Sequence, residues 1–244
     1  MLLLLDTDIF AYKATTSAET EIDMGGDIWS LTMDMKQAKQ TFDEAIDRVK
    51  ERLKTNDVLC CMSDHAGNFR KQVDPSYKSN RRKSRKPVGY VAFCDWVRET
   101  YATASRDLCE ADDIMGIIAS KPGNHGKVTI VSDDKDMLTI GPSRVYRPMK
   151  DEIIDVTEAE ADRYFLTQVL TGDTADGYKG IPGIGPKKAE AILGPRPSWG
   201  AVEQAYITAG LTRDDAIRQA RLARILRWQD WAEGGPKLWT PATQ

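Results

Sequence analysis

The hydrophobic positions of the chain form short apolar runs that alternate with segments of helical spacing. Three apolar runs predict short strands, at residues 2–5, 58–62 and 128–131. Two stretches between them place their apolar residues at helical spacing, residues 34–53 and 110–119. Strands that alternate with helices are typical of an α/β fold with a parallel sheet, whose functional groups gather at the carboxyl ends of the strands.

The C-terminal third of the chain has mainly helical character. Thr157 and Glu160 have the spacing of a capping box, which predicts a helix that runs through Leu170. We therefore expect two units, an α/β body over residues 1–160 and a smaller helical unit over residues 161–244.

Two further helices are predicted near the C-terminus. Ser198 and Thr212 are the expected N-caps, and the second helix is expected to run to about Trp231. Arginines recur there at every third position, at Arg218, Arg221, Arg224 and Arg227. This spacing spreads them around a helix, so we expect a solvated helix face rather than contact with a nucleic-acid duplex.

Composition narrows the class of protein. The chain has 244 residues, of which 41% are hydrophobic and 29% charged, enough for a packed core. Only two histidines and four cysteines without a CxxC pair are present, which disfavours zinc sites and Ser-His-Asp chemistry. Residues 1–5 are too few to span a membrane and lack the basic head of a secretory signal. We expect a soluble cytoplasmic protein, in a bacterium or a phage-infected cell, that does not contact membranes.

The formal net charge of −3 conceals a strong asymmetry. Residues 70–86 contain eight basic side chains and a single acid, Asp74, so the rest of the chain is strongly acidic. A segment that binds a polyanion, carried by an acidic body, is one interpretation. A solvated run of charges is the alternative, and the surrounding motifs have to decide between them.

Carboxylates follow each of the predicted strands and open the helix at residues 110–119. Nine of them lie near predicted element ends: Asp6, Asp64, Glu110, Asp112, Asp113, Asp134, Asp136, Asp173 and Asp176. Converging carboxylates repel one another unless cations neutralise them, and Mg²⁺ or Mn²⁺ prefers such oxygen ligands. Two such ions would stabilise the attacking and leaving oxygens of a phosphodiester displacement. Helix caps and surface acids are the alternative for any single residue, but the set indicates a metal-dependent hydrolase or phosphoryl-transfer enzyme.

A glycine-rich turn at residues 180–185 precedes a predicted short helix at residues 186–193. Gly183 and Gly185 offer bare backbone N–H groups, and Lys187 and Lys188 add positive charge at the helix N-terminus. Such a device grips a nucleic-acid backbone without recognising bases. A structural Gly-Pro turn between two helices is the alternative.

Six motifs occur in an order that resembles the 5′-nuclease (flap endonuclease) superfamily. They are Leu3–Asp8, Ser63–Asp64 with Phe69–Arg70, Tyr77–Arg81, Glu110–Asp113, Val131–Asp136 and the run from Gly172 to Gly185. Together they cover about residues 2–195. The superfamily includes the 5′-exonuclease domain of bacterial DNA polymerase I and stand-alone phage exonucleases, and the short chain is similar to a stand-alone form.

The resemblance implies a PIN-like (resolvase-type) parallel sheet flanked by helices. It implies a helical arch at about residues 70–103 and a helix-three-turn-helix element at about residues 165–195. It also implies that the nine carboxylates form a site for two Mg²⁺ or Mn²⁺ ions, with Asp112 and Asp134 among the catalytic residues, and that a K⁺ ion lies at the glycine turn.

The resemblance also assigns roles to the basic segment. Lys78 would contact the scissile phosphate, Arg81 would steer the phosphate backbone, and Tyr77 would stack on a terminal base. The expected DNA contacts are Arg70, Lys71, Tyr77, Lys78, Arg81, Arg82, Lys83, Arg85, Lys86, Gly183, Gly185, Lys187 and Lys188.

The expected function is that of a monomeric, metal-dependent 5′→3′ nuclease. It would act on DNA with a 5′ end or a 5′ flap, and on RNA in RNA–DNA hybrids, as exonuclease or flap endonuclease. A PIN-type ribonuclease is one alternative, and it would need neither the glycine turn nor the arch. A non-catalytic DNA-binding module is another, although the presence of all nine acids argues against a decayed site.

Overall fold

The computed structural model describes residues 1–83 and 85–242. The side chains of Arg82 and Lys83 lie outside the described part, and so do the DNA contacts predicted for them. The strands are β1 (Leu2–Asp6), β2 (Glu19–Asp23), β3 (Trp29–Met33), β4 (Val58–Cys61), β5 (Thr103–Ala104), β6 (Val128–Val131), β7 (Ser143–Arg147), β8 (Glu152–Val156), β9 (Trp231–Ala232) and β10 (Gly235–Pro236).

The helices connect these strands and dominate the C-terminal part. They are α1 (Thr7–Ser17), α2 (Met35–Leu53), α3 (Phe69–Val73), α4 (Tyr90–Thr100), α5 (Ala111–Ala119), α6 (Glu158–Thr171), α7 (Pro186–Leu193), α8 (Trp199–Thr208) and α9 (Arg213–Ala223). Short 3₁₀ turns lie at Ser79–Lys83, Lys135–Thr139, Pro148–Lys150 and Trp228–Asp230. Among the described helices, none is both long and apolar enough to cross a membrane.

A six-stranded sheet in the order β5-β4-β1-β6-β7-β8 forms the centre of the body. Strand β1 pairs in parallel with β4 on one side and with β6 on the other, and only β8 runs antiparallel to its neighbour. The expected parallel α/β sheet is confirmed. Because β4, β1 and β6 are parallel neighbours, their carboxyl ends meet at one edge of the sheet.

Apolar layers cover both faces of the sheet. On one face, Phe42 of α2 is fully buried and meets Phe93 of α4 edge-to-face, with 5.5 Å between ring centroids. On the other face, Ile114 and Met115 of α5 are buried against the strands. The apolar run of β1 is buried on both sides, as a central strand of a parallel sheet requires.

Helices α6–α9 surround a core of their own, which contains Val169, Val202 and Tyr206. The capping box at the start of α6 is confirmed, since Thr157 and Glu160 each bond the backbone N–H of the other. The fully buried hydroxyl of Tyr206 donates to the carbonyl of Val169 at 2.6 Å, which joins α8 to α6.

The prediction that the last helix runs to about Trp231 is wrong, because α9 ends at Ala223. Arg224 leaves the helix in an extended conformation, and its buried Nε donates to Asp230 at 2.7 Å. Arg227 is buried too, with a guanidinium N–H on the carbonyl of Thr139. These two arginines are therefore structural side chains rather than members of a solvated face.

The segment expected to form an arch, residues 70–103, contains two helices that belong to the body. Helix α3 ends at Val73, and α4 buries Phe93 and Val97 in the core. Residues 74–89 connect these helices and carry most of the basic side chains of the segment.

Strands β2 and β3 form an antiparallel hairpin that the sequence patterns did not predict. Its tip exposes large apolar side chains, with Met24, Ile28 and Trp29 between 62% and 65% exposed. At its base, the Glu19 carboxylate accepts hydrogen bonds from Arg85 and from the backbone N–H of Val88.

Candidate active site

The carboxyl ends of β1, β4 and β6 and the start of α5 enclose a cavity of about 140 Å³. Its lining residues are Asp6, Asp8, Ile9, Ser63, Lys78, Arg81, Glu110, Asp112, Asp134 and Asp176. Six carboxylates thus face two cationic side chains. The structure brings five of the nine predicted acids together in this cavity, which we call the acidic cavity.

Asp6 stands at the junction of β1 and α1, where it is the N-cap of the helix and is 2% exposed. One of its oxygens accepts the Ser132 hydroxyl at 2.6 Å. Burial raises the pKa of Asp6 to about 7; the Ser132 hydrogen bond opposes this shift, and the charges of Asp8 and Asp134 add to it. Negative charge at this point of the cavity therefore requires a compensating cation or proton.

Asp112 lies in the first turn of α5. Burial raises its pKa well above the usual range, and the nearby charges of Asp6 and Asp134 raise it further. Three carboxylates from three different elements thus press on one another across the acidic cavity, which is the electrostatic condition that favours binding of divalent cations.

Glu110, the N-cap of α5, lies among cations instead. It accepts hydrogen bonds from Lys78 at 2.5 Å, from Tyr77 at 3.0 Å and from Arg70 at 3.2 Å. Burial alone would raise its pKa, but Lys78 and Arg70 outweigh burial and lower the pKa to about 2. Glu110 is therefore held fully ionised.

Lys78 is fixed in the wall of the cavity by its backbone. Its φ of 53° lies in the left-handed region, which is uncommon for a residue with a side chain. The N–H of Lys78 donates to the carbonyl of Asp176 at 2.8 Å, and this bond stabilises the conformation. Burial opposes the charged ammonium, yet Glu110 and Asp176 raise its pKa, so Lys78 stays cationic. Strained backbone of this kind concentrates at functional sites.

A second group of acids adjoins the cavity through Asp134. The carboxylate of Asp134 accepts the N–H of Asp136 at 2.8 Å, and that of Asp136 accepts the side-chain amide of Gln168 at 2.7 Å. Burial raises the pKa of Asp136 to about 7, and the charge of Asp134 adds to this. Asp173 is next to it and is 3.3 Å from the ammonium of Lys135. The structure thus places Asp136 and Asp173 beside the cavity, not in its lining.

The loop at residues 172–185, which we call the glycine loop, carries Asp173 and Asp176 and leads into α7. Gly172 and Gly180 have positive φ, and a Cβ on either would come within 2.3 Å of backbone atoms of the opposite arm. Only glycine therefore allows the two arms to pack. Gly185, by contrast, has no atom within 4 Å of the position that a Cβ would take, and Lys187, two residues later, is exposed. The N-terminus of α7 therefore offers accessible backbone N–H groups and a positive charge.

Two predicted site residues pair with each other in the interior of the protein. Asp113 is fully buried, and its carboxylate forms a two-point pair with Arg70 at 2.7 and 2.8 Å. Arg70 is 2% exposed and also donates to the carbonyls of Leu222 and Arg224. A guanidinium occupied in this way has no donor left for DNA, and Asp113 is not among the residues that line the acidic cavity.

Tyr77 and Asp64 also differ from expectation. Tyr77 is 2% exposed, so its ring has no free face for a terminal base, and its hydroxyl donates to Glu110 and Asp176. Asp64 lies outside the cavity lining and accepts the backbone N–H groups of Leu108 and Ala66, the first of which is the main cause of its lowered pKa. In place of Asp64, its neighbour Ser63 lines the cavity.

The other predicted DNA contacts are at the surface. Lys71, Gly183 and Lys188 are exposed, and Lys188 donates to the carbonyl of Gly183 at 2.9 Å. Two more exposed cations follow the 3₁₀ turn: Arg85 is tied to the hairpin by Glu19, and Lys86 lies over the ring of Tyr90.

The sequence patterns missed Asp8, which lines the acidic cavity. The Oδ1 atom of Asp8 is buried and accepts no hydrogen bond from the described residues. The second acid in Asp6-Thr7-Asp8 was the signal that could have indicated this role. The sequence alone does not specify which way a side chain points when it lies in a helix two residues after the end of a strand.

In the described part of the chain, no three Asp, Glu, His or Cys side chains are already gathered as ligands around one metal position. Lys78, Arg81 and Lys135 instead pair with Glu110, Asp176 and Asp173. The donor set nevertheless fits hard divalent cations, since it offers carboxylate oxygens in excess of cationic side chains and one of those oxygens is buried without a partner.

Residues 1–165 match the family described as 5′-3′ exonuclease, N-terminal resolvase-like domain. The exonuclease of Escherichia phage T7 is 32% identical, over 94% of this chain and 89% of the phage protein. The exodeoxyribonuclease of Enterobacteria phage T3 is 30% identical, over 98% of this chain and 93% of that protein.

Solved structures share the fold at low identity. The D15 protein of T5 co-crystallised with metal ions superposes with a TM-score of 0.66 at 16% identity, covering 91% of this chain and 88% of that one. The same T5 flap endonuclease in a complex with DNA and metal ions gives 0.63 at 15% identity, with the same coverage.

Proposed function

Because the chain belongs to the 5′-nuclease superfamily, we propose that its acidic cavity hydrolyses DNA phosphodiester bonds with two divalent metal ions. The protein is a 5′→3′ exonuclease and flap endonuclease acting on DNA. One observation carries the assignment of the site: six carboxylates, Lys78 and Arg81 line a single small cavity at the carboxyl edge of the parallel sheet.

The ion-binding residues fall into two neighbouring groups. Asp6, Asp112 and Glu110 lie on the β1 and α5 side of the cavity, and Asp136 and Asp173 lie beyond Asp134 and Asp176. Divalent ions, Mg²⁺ or Mn²⁺, held by these groups would activate water for attack on phosphorus and neutralise the developing charge. Asp64, outside the cavity lining, would act on the ions through water, and Asp113, paired with Arg70, would not bind them.

Lys78 and Arg81 are the cations that face the substrate phosphate. Lys78 is half-buried, cationic and held by Glu110, so its ammonium is preorganised to stabilise charge on the phosphate oxygens. Arg81 is more exposed and pairs with Asp176 at 2.6 Å, which suits a side chain that guides the strand into the cavity. The products would be a 5′-phosphate and a 3′-hydroxyl.

The DNA path runs over two basic surfaces. Residues 74–89 form the arch side, with Lys86 and Arg85 exposed, and Lys71 stands at its base. The start of α7 forms the duplex side, where Gly183, Gly185, Lys187 and Lys188 grip phosphates. The glycine turn would hold K⁺ through its backbone carbonyls, and the enzyme works as a monomer on DNA and on RNA–DNA hybrids.

Cleavage of labelled duplexes tests the function. A 5′-flap duplex and a blunt duplex, each labelled at the 5′ end and separately at the 3′ end, are incubated with Mg²⁺ or with EDTA. We expect Mg²⁺-dependent products, with a single cut at the junction for the flap and short 5′ products for the blunt end. Tight binding without any cleavage would overturn the assignment in favour of a DNA-binding module. Cleavage of a labelled single-stranded RNA, included as a third substrate, with both duplexes left intact would favour the ribonuclease.

A further inference from the structure

Asp8 is the carboxylate of the acidic cavity that has no assigned role. It is the second residue of α1 and lies two positions after Asp6. It lines the same cavity as Asp6, Glu110, Asp112 and Asp134. The nine acids that the superfamily resemblance assigns do not include it.

Asp8 is half-buried, and one of its two carboxylate oxygens is fully buried without a partner. Its Oδ1 is inaccessible to solvent and accepts no hydrogen bond from any residue that the structure describes. Buried polar atoms are nearly always hydrogen-bonded, and a charged one left alone is especially costly. An oxygen of this kind in a native site indicates a group that the protein chain itself does not supply.

The cations of the cavity are engaged elsewhere. Lys78 pairs with Glu110 at 2.5 Å, and Arg81 pairs with Asp176 at 2.6 Å. Asp8 forms no ion pair with either. A cation that enters the cavity would supply the partner that these side chains do not.

The N-terminus of α1 does not account for Asp8 either. A carboxylate in the first turn is stabilised by the free backbone N–H groups of a helix. Here Asp6 takes the N–H of Ile9, at 3.4 Å, while Asp8 accepts none through Oδ1.

We propose that Asp8 is an additional metal-binding residue, whose carboxylate helps Asp6, Asp112 and Asp134 to hold a divalent cation in the acidic cavity. This inference rests on the proposed two-metal function, because it extends the ligand set of the same site. It adds a negative charge to the β1 side of the cavity and so raises the affinity of the free protein for the ion.

Binding of Mn²⁺ to the DNA-free protein tests the inference without measuring turnover. The titration, by calorimetry or by electron paramagnetic resonance, compares the wild type with Asp8→Asn, which keeps the shape of the side chain and removes its charge. Asp133→Asn is the matched control, since Asp133 follows β6 at the same sheet edge but pairs with Lys13 outside the cavity.

We expect Asp8→Asn to weaken Mn²⁺ binding by about tenfold or more, and Asp133→Asn to leave it unchanged. Melting in EDTA should show Asp8→Asn at least as stable as the wild type, because an unpaired charge is removed. Asp8→Ser provides a second neutral variant with the same expected loss of Mn²⁺ affinity should the asparagine variant fold poorly.

Wild-type Mn²⁺ affinity in Asp8→Asn, combined with a lower melting temperature in EDTA, would overturn the proposal and make Asp8 a helix-stabilising residue. A wild-type protein that binds no Mn²⁺ would instead overturn the proposed function itself, so the two failures are distinguishable.

Discussion

Arg70 and Asp113 form a fully buried ion pair, with two N–O distances of 2.7 and 2.8 Å. The pair joins α3 to α5. Arg70 also donates to two carbonyls at the end of α9, so one guanidinium links the α/β body to the helical unit. This pair supports the wall of the acidic cavity, because Asp113 directly follows Asp112 and Arg70 also contacts Glu110.

Asp113→Asn should therefore act on stability. The substitution leaves the buried Arg70 charge with only its longer contact to Glu110, at 3.2 Å, and breaking a buried pair in this way costs about 3–5 kcal/mol of unfolding free energy. Urea denaturation measures the loss. Asp155→Asn is the control, since it breaks an exposed pair with Arg144 that is worth about 0–1 kcal/mol. Equal stability of the two variants would contradict a structural role for Asp113.

Lys78→Ala should slow the chemical step while DNA binding stays nearly unchanged. A preorganised donor at the reacting phosphate contributes about 10²–10³-fold to the rate. Single-turnover cleavage and equilibrium binding to a flap duplex separate the two effects. Lys71→Ala, which removes an exposed cation away from the cavity, is the comparison. Equal losses in rate and in binding would contradict the role of Lys78.

DNA binding by the two basic surfaces should depend on salt. The logarithm of the association constant should fall linearly with the logarithm of the salt concentration, as expected when lysines displace counterions from phosphates. Lys187→Ala should reduce the slope by about one. A flat response of the wild type between low and physiological salt would mean that neither the arch nor α7 grips phosphates.

Two glycines of the same loop should respond differently to alanine. Gly185→Ala meets no atom within 4 Å and needs no unusual φ, so the fold should be unaffected. Its methyl group would nevertheless hold a phosphate away from the backbone and weaken DNA binding. Gly172→Ala should destabilise the loop, because its Cβ would collide with the backbone at 2.3 Å. Unchanged DNA affinity in Gly185→Ala would remove this turn from the DNA path.

Local patterns predicted most of the fold. The strand at residues 128–131 and the helix start at Thr157 were correct because the signals, an apolar run and a capping box, lie within a few residues. The end of α9 was not predictable in this way. It depends on Asp230, which pairs with Arg224, and on Asp113, whose carboxylate accepts the N–H of Leu226 from more than a hundred residues away.

The site shows the same limit. Asp112 and Asp113 are neighbours with the same chemistry, and both occupy the first turn of α5. Arg70, which only the fold brings close, compensates the charge of Asp113 inside the protein, whereas Asp112 lines the acidic cavity. Residue type and spacing thus located the sheet edge, while the tertiary contacts were needed to separate the acids that line the cavity from those in buried ion pairs.

Asp134→Asn tests the central claim most directly, since Asp134 lies where the two groups of acids meet. Cleavage of a 5′-flap duplex in Mg²⁺ and binding of the same duplex in EDTA are measured on the wild type and the variant. The account predicts that turnover is abolished while DNA binding is retained. Undiminished cleavage by Asp134→Asn would contradict the assignment of the acidic cavity as the metal-dependent active site.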